Sequence, residues 1–175
     1  KRQWSLWYED ETEHLLAKSV ANAARVPFLQ THFRPACFIY LVRNGYAVAE
    51  SIHRKETPGP RGNPVYGESY PISLCARQWA ISDRIVSDAM EDSTAWLPIT
   101  YEELTEDTST VIESIWNFLD LPSVEEGWKN LEVGTSRTSI RNMNADHFER
   151  LTASQIDAID TPARDVPDKY GYAPG

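Results

Sequence analysis

The strongest feature in the hydrophobic pattern is the run from Cys37 to Val42, Cys-Phe-Ile-Tyr-Leu-Val, which is followed at once by Arg43 and an Asn-Gly pair. A continuous apolar run rich in β-branched and aromatic residues predicts a strand covered on both faces, as in a parallel sheet. From Asn44 to Lys55 the rhythm becomes helical. Ala47, Val48, Ser51 and Ile52 recur along one side, and Asn44 stands where an N-cap belongs. Upstream, Val20, Ala23, Ala24, Phe28, Leu29 and Phe33 keep helical spacing, but Pro27 restricts the element to a short helix starting near Arg25 and ended by Arg34-Pro35.

Residues 56–71 contain Pro58, Gly59, Pro60, Gly62, Pro64, Gly67 and Pro71, so they predict a long loop and a candidate lid. Ile72, Cys75, Trp79, Val86 and Met90 then fall on one helical stripe, with Pro71 in a first-turn position. A second strand is expected from Leu97 to Tyr101, moved toward an edge by Pro98. Two strands joined through a helix form a crossover unit, right-handed by strong precedent. Another amphipathic helix runs through Val111, Ile112, Ile115, Phe118 and Leu119 and stops before Pro122. A last helix begins at about Ala153, where Thr152 and Gln155 have capping-box spacing and Leu151 can staple onto Ile156. The expectation is one α/β domain over residues 1–175, a three-layer α/β/α arrangement around a parallel sheet.

Composition narrows the function classes. With 41% hydrophobic and 25% charged residues, the chain matches an ordinary globular domain, and no apolar run approaches the roughly 20 residues that cross a bilayer. A net charge of −9 argues against a broad nucleic-acid footprint, so an anionic ligand needs a local cationic site. The two cysteines, Cys37 and Cys75, have no zinc spacing and are expected as reduced core residues; no metal is implied. The compartment is not specified, with the cytoplasm favoured.

Candidate chemistry centres on Arg43. In open α/β sheets ligands collect outside the carboxyl ends of strands, where the next helix begins. There Arg43 adds a fixed cation to free backbone N–H groups and a positive dipole end, and Ser51 lies two turns on along the same helix side. This combination suits a phosphate, whose oxygens match the guanidinium fork. The alternative is an arginine that merely pairs with a surface carboxylate.

The stretch Phe38 to Lys55 resembles the 3′-phosphate-binding segment of the sulfotransferases, in which a strand-end arginine and a serine eight residues later hold the nucleotide; Arg43 and Ser51 have that spacing. Ile99 to Leu104 is similar to the family's Tyr-Glu-Asp-Leu strand end, and Phe118 to Pro122 to its Phe-Leu-Gly-Leu-Pro helix end. The resemblance extends in order from residue 17 to residue 174, through Ala17–Arg25, Cys75–Trp79 and Lys169–Pro174. It implies a P-loop-like sulfotransferase fold and 3′-phosphoadenosine 5′-phosphosulfate (PAPS) as cosubstrate. It also implies a hydroxyl-bearing acceptor on a protein tyrosine, a carbohydrate or a small molecule.

By the same resemblance Arg43 and Ser51 bind the 3′-phosphate and Tyr101 touches the adenosine. Lys18 stabilises the leaving oxygen, and Ser136 and Arg137 belong to a loop that closes on the nucleotide. Ala17 and Val20 stand where the family commonly has Glu and Pro, and Gly45 replaces a frequent proline. No general base is assigned, although Glu13 and His14 lie near Lys18; Tyr66, Tyr70 and Trp79 are candidates for an acceptor cleft, with Trp79, on the apolar stripe, expected in the core rather than the cleft. The family's 5′-phosphosulfate loop has no counterpart between Lys1 and Gly175. The expectation is therefore an amino-terminally truncated domain, inactive as this segment alone, or an inactive relative that keeps the fold.

Overall fold

A computed structural model describes residues 14–58, 67–91, 93–122, 132–133, 136–137 and 140–174. A 3-10 turn over Val20–Arg25 leads into helix α1, Val26–His32, which takes Pro27 in its first turn. Strand β1, Phe38–Val42, is followed by α2, Gly45–Lys55, then by α3, Ile72–Met90, and strand β2, Trp96–Thr100. The two strands pair in parallel, Phe38 opposite Trp96 through Val42 opposite Thr100, which establishes the crossover unit and the α/β class. Helices α4, Tyr101–Glu106, and α5, Thr108–Leu119, follow. Strands β3, Glu132–Val133, and β4, Ser136–Arg137, form an antiparallel pair. Helices α6, Asn144–Phe148, α7, Ala153–Ala163, and α8, Asp165–Tyr170, end the described chain.

The core explains why these elements stay together. Val42, Tyr46, Ala49, Cys75, Trp79 and Ile159 are all buried in one cluster that joins β1 to α2, α3 and α7. Met90, at 0% exposure, anchors a second cluster with Val26 and Val86. Every residue of the expected α3 stripe is buried, because a 19-residue amphipathic helix gains most of its stability from such a face. Helix α7 starts at Ala153, as its sequence predicts, with both bonds of the Thr152–Gln155 capping box formed. Asp83, buried on α3, accepts hydrogen bonds from Tyr40 on β1 at 3.0 Å and Tyr170 on α8 at 2.7 Å, and Lys169 lies 3.3 Å from its other oxygen. That carboxylate fastens the carboxyl-terminal segment to the centre of the fold.

Three expectations need correction. Strand β2 ends at Thr100, one residue early, because Thr100 starts a capping box with Glu103 and Tyr101 becomes the first residue of a helix. Cys37 precedes the first paired residue of β1 and is exposed, so only Cys75 is a core cysteine. The apolar run in β1 predicts two covered faces, but Ile39 and Leu41 are 37% and 49% exposed, while Val42 is buried against the helices.

Candidate functional site

Residues after β1 build the site. Asn44 caps α2 through its side chain, Oδ1 accepting the Tyr46 N–H at 3.0 Å. The next residue has to be glycine, since a Cβ at Gly45 would sit 2.5 Å from the Trp79 ring. Trp79 therefore belongs to the core beneath the turn, not to an acceptor cleft. Helix α2 leaves the N–H groups of Gly45 and Ala47 without an acceptor among the described residues, as a helix amino end does.

Arg43, the residue between strand and cap, is held on two sides. Its Nε donates to Asn144 Oδ1 at 2.8 Å, and its Cζ lies 4.3 Å from the centroid of the Tyr101 ring, within cation–π range. Its Nη2 is buried and has no partner among the described residues. A buried guanidinium nitrogen without an acceptor is costly, and the usual explanation is a ligand oxygen or ordered water. With Nε engaged by Asn144, the two terminal nitrogens are the pair left to grip an anion end-on.

Glu102 orients these groups. The Thr100 capping box starts α4, with Glu103 N donating to Thr100 Oγ1 at 3.1 Å and Thr100 N donating to Glu103 Oε2 at 3.0 Å. Those bonds depress the Glu103 carboxyl pKa below its ordinary value, the backbone N–H of Thr100 being the main cause. The same turn brings Glu102 to the helix amino end of α2. Its Oε1 accepts from Asn44 N at 3.1 Å and from Asn144 Nδ2 at 2.6 Å, and its Oε2 accepts from Tyr172 Oη at 3.1 Å. Burial first, and then the neighbouring Glu102 charge, pushes the Tyr172 phenol well above its ordinary pKa. Asn44 Nδ2 donates to the Ala173 carbonyl at 3.1 Å, so the carboxyl-terminal residues close one side of the site. Tyr101 Oη accepts from Met143 N at 3.1 Å and donates to Arg141 O at 2.8 Å.

Of the residues singled out from sequence, the structure brings together Arg43 and Tyr101. Ser51 is half-buried, on the second turn of α2. Lys18 is exposed in the segment before the 3-10 turn, as is His14, and no described hydrogen bond or ion pair links either to Arg43. Ser136 and Arg137 pair through β4 with Val133 and Glu132, but their side chains lie outside the described structure, as do Glu13 and Tyr66. Tyr70 packs against the main core cluster. Sequence reasoning missed Glu102, Asn144 and Tyr172. For Glu102 a signal existed, the Thr-x-x-Glu spacing at Thr100, which announces a helix amino end; Asn144 and Tyr172 meet the site only through the fold.

A cleft of about 430 Å³ between Gln30, Arg34, Phe38 and Ala95 lies at the opposite, amino ends of the strands. Among the described residues no group of three His, Cys, Asp or Glu side chains is placed to hold a metal ion, and no helix is long and apolar enough to cross a membrane.

A parallel strand pair with an arginine and a side-chain-capped helix at its carboxyl end defines an α/β protein with a strand–turn–helix centred on Arg43. A sequence model of the sulfotransferase family matches residues 2–126, and the chain belongs to that family, whose chemistry is sulfuryl transfer. No curated protein and no solved structure matches the chain.

Proposed function

We propose that this protein is a PAPS-dependent sulfotransferase in which Arg43, with Ser51, holds the 3′-phosphate of the nucleotide. The observation that carries this reading is the buried Nη2 of Arg43, which has no partner among the described residues, beside the amino-end amides of α2 that likewise lack an acceptor there. A phosphate there would supply the missing acceptor and match the end-on guanidinium in a charge-assisted, bidentate geometry. The Tyr101 ring, whose one face supports Arg43, remains the candidate for contact with the adenosine. Ser136 and Arg137 are candidates for the loop that closes on the nucleotide.

In the reaction an acceptor hydroxyl oxygen bonds to the sulfur as the bond from sulfur to the 5′-phosphate oxygen breaks, and the acceptor's proton passes to a base. Adenosine 3′,5′-bisphosphate leaves. Lys18 is the candidate to offset charge on the leaving oxygen, an electrostatic role.

A second reading, nucleotide binding without transfer, is favoured by one observation: Lys18 is exposed and tied by no described bond to the Arg43 site. A transfer assay separates the two. The full-length polypeptide is incubated with PAPS labelled in its sulfuryl group and a panel of phenolic, carbohydrate and small alcohol acceptors. Labelled acceptor and matching adenosine 3′,5′-bisphosphate support the enzyme; tight binding of PAPS with no labelled product supports the second reading.

A further inference from the structure

Helix α6 spans only Asn144–Phe148, and five residues are too few to hold a helix in place by backbone bonds alone. Its position must come from side-chain anchors. The front anchor is Asn144, 6% exposed, which donates to Glu102 and accepts from Arg43. The rear anchor is His147, 5% exposed, whose Nδ1 meets Glu50 Oε2 on α2. Glu50 is equally buried and is also bonded by Arg54 Nε at 3.1 Å, with Arg150 3.8 Å away. Helix α6 is thus pinned to α2 at one end and to the Arg43 guanidinium at the other. The sulfotransferase match ends at residue 126, so it assigns nothing to either anchor.

We infer that His147 is a positioning residue for the anion site, holding α6 so that Asn144 engages Arg43 Nε and leaves the terminal nitrogens directed at the ligand. The inference rests on the reading of Arg43 as the 3′-phosphate contact. If the rear anchor is lost, α6 keeps Asn144, the Met143 N–H bond to Tyr101 and the packing of Phe148 on the core, but loses its polar tie to α2, so the short helix can shift and Arg43 gains rotamers that do not face the ligand. The carboxylate of Glu50 keeps Arg54 as a partner when His147 is replaced, so the substitution does not strand a buried charge.

The test compares His147→Phe, which fills the volume without a donor, with His147→Asn, whose amide nitrogen can replace Nδ1. Far-UV circular dichroism and melting confirm that each variant is folded. The first readout is the ¹⁵N-resolved Nε–H resonance of Arg43, which reports the Asn144 contact without any ligand. It is expected to be protected from solvent exchange in wild type, exchanging in His147→Phe, and protected again in His147→Asn. The second is the affinity ratio between adenosine 3′,5′-bisphosphate and adenosine 5′-monophosphate, expected to fall on the order of tenfold in His147→Phe through loss of one charge-assisted bond, and to recover in His147→Asn. An unchanged Arg43 resonance in folded His147→Phe overturns the inference. So does an equal weakening of both nucleotides, which would mark a merely structural histidine. A wild type with no preference between the nucleotides, but an Arg43 resonance that still follows residue 147, refutes the phosphate reading and leaves the positioning intact.

Discussion

Glu102 Oε1 accepts the Asn144 Nδ2 proton at 2.6 Å, and this bond determines which end of the Asn144 amide faces Arg43. Because the nitrogen is committed to Glu102, the oxygen must turn to the arginine, and the 2.8 Å bond from Arg43 Nε follows. Glu102 therefore orders the surroundings of Arg43 while placing a negative charge near it. The two effects separate by substitution. Glu102→Gln keeps an acceptor for Asn44 and Asn144 and offers Tyr172 a donor, but removes the charge. Its affinity for adenosine 3′,5′-bisphosphate is expected to rise a few-fold at low salt, since a charge interaction of about 1 kcal/mol at high effective dielectric is worth roughly fivefold. Glu102→Ala frees the Asn144 amide and is expected to lower the same affinity. Titration calorimetry at two ionic strengths checks both signs.

Alkaline stability reports the buried phenols. Tyr40, Tyr170 and Tyr172 all have pKa values raised above 10.0, by burial first and then by Asp83 for the first two and Glu102 for the third. In the unfolded chain the same phenols ionise near pH 10, so their contribution to stability is complete below that pH. It is lost as pH rises further, because the unfolded state releases protons that the folded state keeps. Denaturant melts are expected to show constant stability from these groups up to about pH 10 and a decline above it. Phenolate absorbance at 295 nm should rise for these three tyrosines only as the far-UV signal is lost. Tyr172→Phe is expected to make the decline shallower.

The end of α5 offers a stabilising change. Asp120 has φ 52° and ψ 40°, a left-handed conformation, and the Leu121 N–H closes the helix on the Trp116 carbonyl at 3.0 Å. Glycine adopts this conformation without steric cost, and the family's pattern places glycine there. Asp120→Gly is therefore expected to raise unfolding free energy by about 0.5–1 kcal/mol, read as an increased melting temperature. An unchanged or lower value would mean that the aspartate makes a compensating contact.

What sequence could supply was local. The apolar run before Arg43, Asn44 as cap, the α3 stripe and the Thr152–Gln155 box each lie within a few residues of the structure they specify. The partners of Arg43 do not. Asn144 is 101 positions away, and Tyr172 reaches Glu102 across 70, so no window of periodicity contains them. Tyr101 is instructive in another way. Its place at a strand end was legible, but Thr100 as a cap turns it into the first residue of α4, where its ring lies under Arg43 and its hydroxyl ties down Met143. The exposure of Ile39 and Leu41 was not legible, because an apolar residue carries no mark of which neighbour covers it.

The central claim is that Arg43 recognises a 3′-phosphate, and a thermodynamic cycle tests it most directly. Dissociation constants are measured for wild type and Arg43→Ala with adenosine 3′,5′-bisphosphate and with adenosine 5′-monophosphate. The account predicts that wild type prefers the bisphosphate by tenfold or more, since a hydrogen bond to a charged group contributes roughly 1.5 to 3 kcal/mol. In Arg43→Ala that preference should collapse toward one while the monophosphate constant stays within about twofold and the variant remains folded. A folded Arg43→Ala protein that keeps the wild-type preference, or a wild type that binds both nucleotides equally, would contradict it.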